Sequence, residues 1–434
     1  MSTFTRSISL CSVLLGVCIN AQAQQEVAGC DLDGPALAQA QALLQSTPLI
    51  DGHNDLPWVI REATAGDVRA YGLDGDTEGD TDIPKLRAGL VGAQFWSVWI
   101  PGELAPVDYG RVQMEEIDIA RQIIKTHPDT FELALTADDI ERIFKAGKIA
   151  SLLGMEGGYA LYNSLGAMRS FYELGVRYMT LTHNVSLDWV DAALGEQRHG
   201  GLTPFGRAMV LEMNRTGMMV DLAHTSPAVM HQALDVTQAP VIWSHAAARA
   251  LVDHPRNVPD DVLKRVEANG GLVMVTFVPS FLSQEVWDME ETLWDTAGSL
   301  ETIDEYRKTW LAYDTEHGAR RATIDQLVAH IEHVRDLAGI DHVGIGSDYW
   351  GMPDGPIGLE DVSGFPRLFA ALICHGWSDE DLRKLAGKNL LRVMRQVEAV
   401  AAKLQRETAA SSATIEQLDQ SATGATVKDV TEEK

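Results

Sequence analysis

The sequence predicts a closed parallel barrel of the (β/α)8 type, an α/β fold, and three observations carry that prediction. Eight short apolar stretches rich in β-branched residues recur from residue 48 to residue 348. Segments with helical spacing fill the gaps between them. Residues able to bind a metal or move a proton stand at the C-terminal ends of six of the eight, where a parallel barrel gathers its active site.

In order, a helical stretch over 35–46 leads into the first strand, 48–53, which ends in the run Asp51-Gly52-His53-Asn54-Asp55. The second strand is 91–100, followed by a helix over 108–127. The third, 149–156, is closed by Gly157-Gly158. The remaining strands are expected at 176–183, 218–224, 240–245, 271–277 and 342–348, with helices over 166–174, 204–216, 228–234, 259–268 and 324–338. Two stretches break the rhythm: 67–83, rich in Gly, Asp and Thr, and 280–321, a long Trp-containing insertion after strand seven. Ordered loops of such length are usually lids or binding loops. After residue 361, two or three helices run to about residue 404. The last segment, 405–434, has few large apolar residues and reads as a disordered polar tail.

Arg6 precedes an apolar stretch over 8–19, and Ala21-Gln22-Ala23 offers a cleavage site, which together form an export signal. The expectation is therefore a signal peptide over 1–23, a barrel domain over 24–404 and an exported product, periplasmic or secreted. No later stretch is long enough to span a membrane, and the polar tail lacks the hydrophobic segment of a glycolipid-anchor signal, so no stable membrane insertion is expected. The formal charge of -27 repels phosphate backbones and argues against a nucleic-acid partner. Cys11 and Cys18 leave with the signal. Export then permits a bridge between Cys30 and Cys374 as well as two free thiols.

The chemistry follows from the strand ends. His53 and Asp55 end strand one, Glu156 strand three, His183 strand four, His224 strand five, His245 strand six and Asp348 strand eight. Residues two apart on a strand share a face, so His53 and Asp55 aim an imidazole and a carboxylate at one point. The other nine histidines, His127, His199, His231, His254, His317, His330, His333, His342 and His375, fall in loops, helices or strand starts and read as structural or solvated. Glu156 sits among Gly154, Gly157 and Gly158, which let backbone approach closely. A carboxylate with two oxygens can bridge two cations, with His53 and Asp55 on one side and His224 and His245 on the other. Paired ions about 3.5 to 4 Å apart activate a shared water and polarise a carbonyl. The mixed N/O set suits Zn²⁺ and also tolerates Mn²⁺ or Co²⁺.

The same residues carry a family resemblance. Asp51-Gly52-His53-Asn54-Asp55-Leu56-Pro57, Gly154-Met155-Glu156-Gly157-Gly158, Thr180-Leu181-Thr182-His183-Asn184, Asp221-Leu222-Ala223-His224, Trp243-Ser244-His245-Ala246, Arg256-Asn257-Val258-Pro259-Asp260 and Gly344-Ile345-Gly346-Ser347-Asp348 resemble successive motifs of the membrane dipeptidase (renal dipeptidase) family, peptidase family M19. The resemblance extends from about Asp51 to Val397 and implies a metal-dependent amidohydrolase barrel with two zinc ions. It implies that His53 and Asp55 hold one ion, that His224 and His245 hold the other, and that Glu156 bridges them. His183 would polarise the scissile carbonyl, Arg256 would clamp the substrate's C-terminal carboxylate with its planar fork, and Asp348 would pass a proton from water to the leaving amine. Without the resemblance, Arg256 reads as a surface ion pair with Asp260 or Asp261.

The chain departs from the family's pattern at three places. It reads Asp348-Tyr349-Trp350-Gly351 where many members continue Asp-Phe-Asp-Gly, places Val278-Pro279-Ser280-Phe281 where an aromatic often meets substrate, and has Val185 where some animal members have cysteine. The reading is a zinc-dependent dipeptidase for dipeptides with a free C-terminal carboxylate, including a C-terminal D-residue, and the resemblance allows a homodimer. Its rivals are a related binuclear amidohydrolase acting on N-acyl amino acids or lactones, and a metal- or peptide-binding protein without turnover.

Overall fold

The computed structural model describes residues 31–75, 77–297, 308–310, 312–313 and 321–422, so the expected signal peptide lies outside the described residues. All eight expected strands form, and they are joined by a ninth. They are β1 (Leu49–Asn54), β2 (Val91–Ser97), β3 (Phe131–Leu133), β4 (Ile149–Glu156), β5 (Val176–Thr180), β6 (Met219–Asp221), β7 (Ile242–Ala246), β8 (Leu272–Val275) and β9 (Val343–Ile345). Every pairing is parallel, and β2 pairs with both β1 and β4, which closes an eight-stranded barrel.

The extra strand β3 lies along the first half of β4, from Ile149 to Ser151, while β5 pairs with the second half. Three residues are too few to show a period of two, so the sequence gives no signal for it. The helix that follows, Ala137–Lys145, is set by a capping box between Thr136 and Asp139. Five expected strands, β2, β5, β6, β8 and β9, also end before their apolar runs do. The chain leaves β5, β6 and β9 early, placing His183, His224 and Asp348 each three residues beyond the last paired residue.

Strands covered by helices on one side and packed against each other on the other are buried on both faces, and β1, β2 and β4 are buried throughout. Inside the barrel Ile50, Phe95, Leu152, Tyr178, Ile242 and Met274 pack together, with Leu390 and Met394 of the helix Asn389–Glu407 in the same cluster. The barrel is tight where β1, β7 and β9 meet. A Cβ on Gly346 would fall 1.8 Å from the Ser244 carbonyl oxygen, and one on Gly52 would fall 2.7 Å from the same atom.

Two segments differ from expectation. The insertion after β8 is helical over Pro279–Leu282 and Gln284–Ala297, with Val286, Met289, Leu293 and Trp310 forming a small apolar cluster of their own. The tail expected to be disordered from residue 405 is ordered as far as residue 422, and the residues after it lie outside the described part. The helix Asn389–Glu407 is followed by Ile415–Ala422, where Ala413, Ile415 and Leu418 pack on the core. The Asp419 carboxylate accepts the Phe205 N–H (2.8 Å), and the Ser411 carbonyl accepts Arg169 (3.0 Å). A few apolar residues in a polar segment suffice when such contacts await them. Cys374 is disulfide-bonded, and the other three cysteines lie outside the described residues. Among the described residues no helix is long and apolar enough to cross a membrane.

The close approach at Gly346 makes a sharp prediction. Gly346→Ala should destabilise the fold by about 3 kcal/mol, because backbone rather than a flexible side chain must yield. Urea unfolding should show an earlier midpoint, and an unchanged midpoint would mean that β7 and β9 separate more easily than their spacing implies.

Candidate active site

The strand ends bring the expected residues together. Pairing of β1 is irregular between Asp51 and Asn54, just where His53 turns toward the barrel mouth. Asp55 follows at the start of the helix Leu56–Thr64. Glu156 is the last residue of β4, His245 lies within β7, and His183, His224 and Asp348 occupy the turns after β5, β6 and β9. His224 and Asp348 have φ of 63° and 70°, a left-handed backbone costing about 1–3 kcal/mol for a residue with a side chain. Hydrogen bonds hold both in place. The His224 carbonyl accepts the Ala193 N–H (2.7 Å), and the Asp348 N–H donates to the His53 carbonyl (3.2 Å).

Glu156 is the hub. Its Oε2 lies 3.4 Å from His53 Nε2, while its Oε1 lies 2.8 Å from His224 Nε2, 3.3 Å from His245 Nε2 and 4.0 Å from His183 Nε2. His53 Nε2 is also 3.5 Å from Asp55 and 3.9 Å from Asp348. The two carboxylate oxygens thus face two different sets of donors. Three overlapping groups are close enough to hold an ion: His53, Glu156 and His245; Glu156, His183 and His224; and His53, Asp55 and Asp348.

The hydrogen bonds behind these imidazoles fix which nitrogen is available. Tyr178 donates its hydroxyl hydrogen to the Gly52 carbonyl (3.1 Å), so its oxygen accepts from His53 Nδ1 at 2.8 Å. Ser244 donates to Asp221 (2.5 Å), leaving its oxygen to accept from His245 Nδ1 at 2.9 Å. The Asn184 side-chain oxygen Oδ1 accepts from His224 Nδ1 at 2.9 Å. All three rings therefore carry hydrogen on Nδ1 and turn a bare Nε2 lone pair toward Glu156. The Nε2 atoms of His224 and His245 are 2.9 Å apart. Two lone pairs at that distance repel unless a positive charge lies between them. His53 Nε2 and Asp55 Oδ1 are buried without a hydrogen-bond partner. This donor set fits divalent metal, and its nitrogen and oxygen mixture is one that zinc, manganese and cobalt accept.

Electrostatics agree for His224 and His245, whereas at His53 burial is outweighed by the neighbours Tyr178, Glu156 and Asp55, which raise the pKa well above the usual value. Burial, reinforced by the charge of Arg256, holds His224 well below the usual histidine pKa, and burial does the same for His245 with His53 as the next contributor. Burial works against ionisation of Glu156, but its interactions with the surrounding His53, His183, His224 and His245 outweigh it and hold the carboxyl well below its usual range. Asp348 is displaced upward by burial, with the carboxylates of Asp55 and Glu156 adding to the effect.

These residues open into a cavity of about 440 Å³. Arg256 lines it, 4% exposed. Among the described residues it forms no ion pair. Its Nε has no partner, and its Nη2 makes only a long 3.5 Å bond to the His245 carbonyl. Asp260 and Asp261, its alternative partners by sequence, pair instead with His333 and His231. Burial brings the Arg256 pKa down to about 10, which leaves it charged at neutral pH.

Sequence reasoning missed several groups in the cavity wall. His254, expected to be structural or solvated, is buried and lines the cavity, where its Nδ1 accepts the Arg256 backbone N–H (3.0 Å). Trp99, Asn184, Phe281, Trp287 and Glu290 also line it. Asn184 and His254 were within reach, since each stands one or two residues from a residue already singled out. Trp287 and Glu290 arrive on the insertion, whose fold carries no sequence signature.

Similarities to known proteins extend over most of the chain. The family model described as membrane dipeptidase (peptidase family M19) matches residues 37–408. Dipeptidase 3 of Mus musculus is 40% identical over 370 residues, 84% of this chain and 67% of that protein, and the Rattus norvegicus protein is equally similar. Among solved structures, the probable dipeptidase PvdM from Pseudomonas aeruginosa has a TM-score of 0.74 at 24% identity, covering 84% of this chain and 99% of that one. A metallo peptidase from Rhodobacter sphaeroides liganded with a phosphinate mimic of the dipeptide L-Ala-D-Ala has a TM-score of 0.69 at 22% identity, covering 81% and 99%. At such identities the structures speak for the shared fold.

The hydrogen bond behind His245 can be tested directly. Ser244→Ala removes the acceptor that fixes the Nδ1–H form and should weaken metal affinity about 10- to 100-fold. Competition against a fluorescent zinc chelator would measure it, and an unchanged affinity would show that the ring needs no such partner.

Proposed function

Since the chain belongs to the membrane dipeptidase family, peptidase family M19, and is a metallo-dipeptidase, we propose that His53 and Asp55 hold one zinc ion, that His224 and His245 hold a second, and that Glu156 bridges them. Bound there, the ions would supply an activated water and polarise the scissile carbonyl. We further propose that the substrate is a dipeptide with a free C-terminal carboxylate. The observation that carries this is Arg256, a buried guanidinium without a carboxylate partner among the described residues, in the cavity that also holds the histidines and Glu156. A buried cation of this kind is costly until an anion meets it, and a planar fork meets a carboxylate in two parallel hydrogen bonds.

The remaining roles follow from position. With the C-terminal carboxylate on Arg256, the peptide carbonyl comes to lie near Glu156, within reach of His183. Burial lowers the pKa of His183, so a neutral ring donates a hydrogen bond to the carbonyl oxygen as negative charge grows there. Asp348 stands across from Arg256 in the same cavity and takes a proton from the attacking water, then delivers it to the leaving nitrogen. With Asp55 and Glu156 engaged by the ions, Asp348 is the carboxylate left in this part of the cavity to meet a substrate ammonium. This favours a dipeptide over an N-acyl amino acid, which lacks the ammonium, and over a lactone, which lacks the carboxylate.

Acceptance of a C-terminal D-residue belongs to the same proposal, supported by the dipeptide mimic bound to the Rhodobacter sphaeroides peptidase. So does export to the periplasm or medium, which the disulfide at Cys374 supports, because such bonds persist in oxidising compartments.

Two substitutions test the roles. Arg256→Lys keeps a charge but loses the fork, and Arg256→Met loses both. The methionine variant should lose about 2–5 kcal/mol of transition-state binding on a free dipeptide, with the lysine variant between it and the parent. Both should change little on the matching dipeptide amide, and equal losses on acid and amide would remove the carboxylate from the role. Asp348→Asn should cut kcat by about 10²- to 10⁴-fold while bound metal, measured by elemental analysis, stays the same. An unchanged rate would sink the proton-transfer assignment.

A further inference from the structure

Asp55, Asp348 and Arg256 all line the cavity. From Arg256 the wall continues as a run of rings. Phe281 lies with its ring centroid 5.1 Å from the guanidinium carbon, His254 stacks on Phe281 at 4.2 Å and 30°, and Trp287 meets His254 edge-on at 4.1 Å and 76°. Val278, the first residue past the β8 turn, joins them in lining the cavity. The pKa of His254 is pushed down to about 3 by burial, with Arg256 adding to it, so this ring is uncharged at neutral pH and behaves as part of an apolar surface.

Trp287 comes from the insertion, on the helix Gln284–Ala297, and is only half-buried. The same helix seats Val286, Met289 and Leu293 in the insertion's own apolar cluster. The helix is thus held by its own contacts and presents Trp287 sideways to the cavity. Glu290, one turn along, adds a carboxyl to the same wall.

We propose that this aromatic wall is the subsite for the side chain of the substrate's C-terminal residue and selects dipeptides whose C-terminal residue is bulky and apolar, aromatic above all. The inference rests on the reading of Arg256 as the carboxylate clamp. The carboxylate and the side chain leave the same Cα, so a side chain whose carboxylate sits on Arg256 has to lie within one residue's reach of it. The rings of Phe281, His254 and Trp287 occupy that reach. Stacked and edge-on contacts with them favour an aromatic side chain beyond the area it buries. The N-terminal residue lies on the other side of the scissile bond, with its ammonium toward Asp348.

The test uses the purified full-length enzyme with Ala-Gly, Ala-Phe, Ala-Lys and Ala-Glu. The parent enzyme should show kcat/KM for Ala-Phe about tenfold or more above Ala-Gly, and Trp287→Ala should lose roughly tenfold more on Ala-Phe than on Ala-Gly. Trp287→Phe, which keeps a ring, should recover most of that difference. Equal losses on both substrates would make Trp287 a merely structural residue and overturn the inference. A parent preference for Ala-Lys that disappears in Trp287→Ala would also overturn it, by showing that the wall takes a cationic side chain. If the parent hydrolyses none of the four, the dipeptidase reading itself fails and this inference with it.

Discussion

One buried carboxylate organises the site. Glu156 ends β4 with each oxygen facing a different group of donors: His53 from β1 on one side, His224 and His245 from the turns and strands beyond on the other. Three Nε2 atoms converge here, two of them 2.9 Å apart, and with hydrogen on each Nδ1 their lone pairs repel until a cation lies between them. Positive charge has to enter, and the residues around it are arranged for that. The barrel supplies the means, because only a closed parallel sheet brings the ends of strands so distant in sequence to one mouth.

Below the mouth, two more buried carboxylates hold the geometry. Asp221 accepts hydrogen bonds from Thr180 and from both the backbone and hydroxyl of Ser244, tying β5, β6 and β7 together directly under His245. Asp51 does the same on the other side, accepting from Gln94 and from the backbone and hydroxyl of Ser347. These links explain how the turns at His224 and Asp348 stay in a left-handed backbone that they would otherwise leave. The strain sits on residues that line the cavity, and the stability that offsets it lies a few ångströms deeper. Gly351 completes the arrangement, since any side chain there would collide with the carboxylates of both Asp348 and Asp55.

Much of this was legible in the sequence, and the reasons differ by feature. The barrel strands announce themselves because burial on both faces demands apolar, β-branched runs. The ligand candidates announce themselves because polar residues at the ends of such runs are out of keeping with a core. Strand β3 was not legible, being three residues long, nor was the ordered stretch over 405–422, whose helix docks through only a few apolar side chains. His254 is structural, as expected, in accepting the Arg256 backbone N–H, but its place in the cavity wall was not legible, because a lone loop histidine offers no period and no partner in sequence. Its place beside Arg256 is a property of the folded loop. The insertion was recognised by length alone, and that it carries Trp287 and Glu290 into the cavity depends on how its helix packs.

The division of labour that results is between a polar floor, built by strand ends, and an aromatic wall to which the insertion after β8 contributes Phe281 and Trp287. The floor accounts for amide hydrolysis of short peptides, and the wall bears on which peptides are taken. The central claim is that the floor is a two-ion centre bridged by Glu156. The most direct measurement is the metal content of the purified protein by elemental analysis after exhaustive dialysis against metal-free buffer, alongside the double variant His224→Ala/His245→Ala. The account predicts two divalent ions per chain in the parent and one in the variant. No bound ion in the parent, or the same content in both, would contradict it.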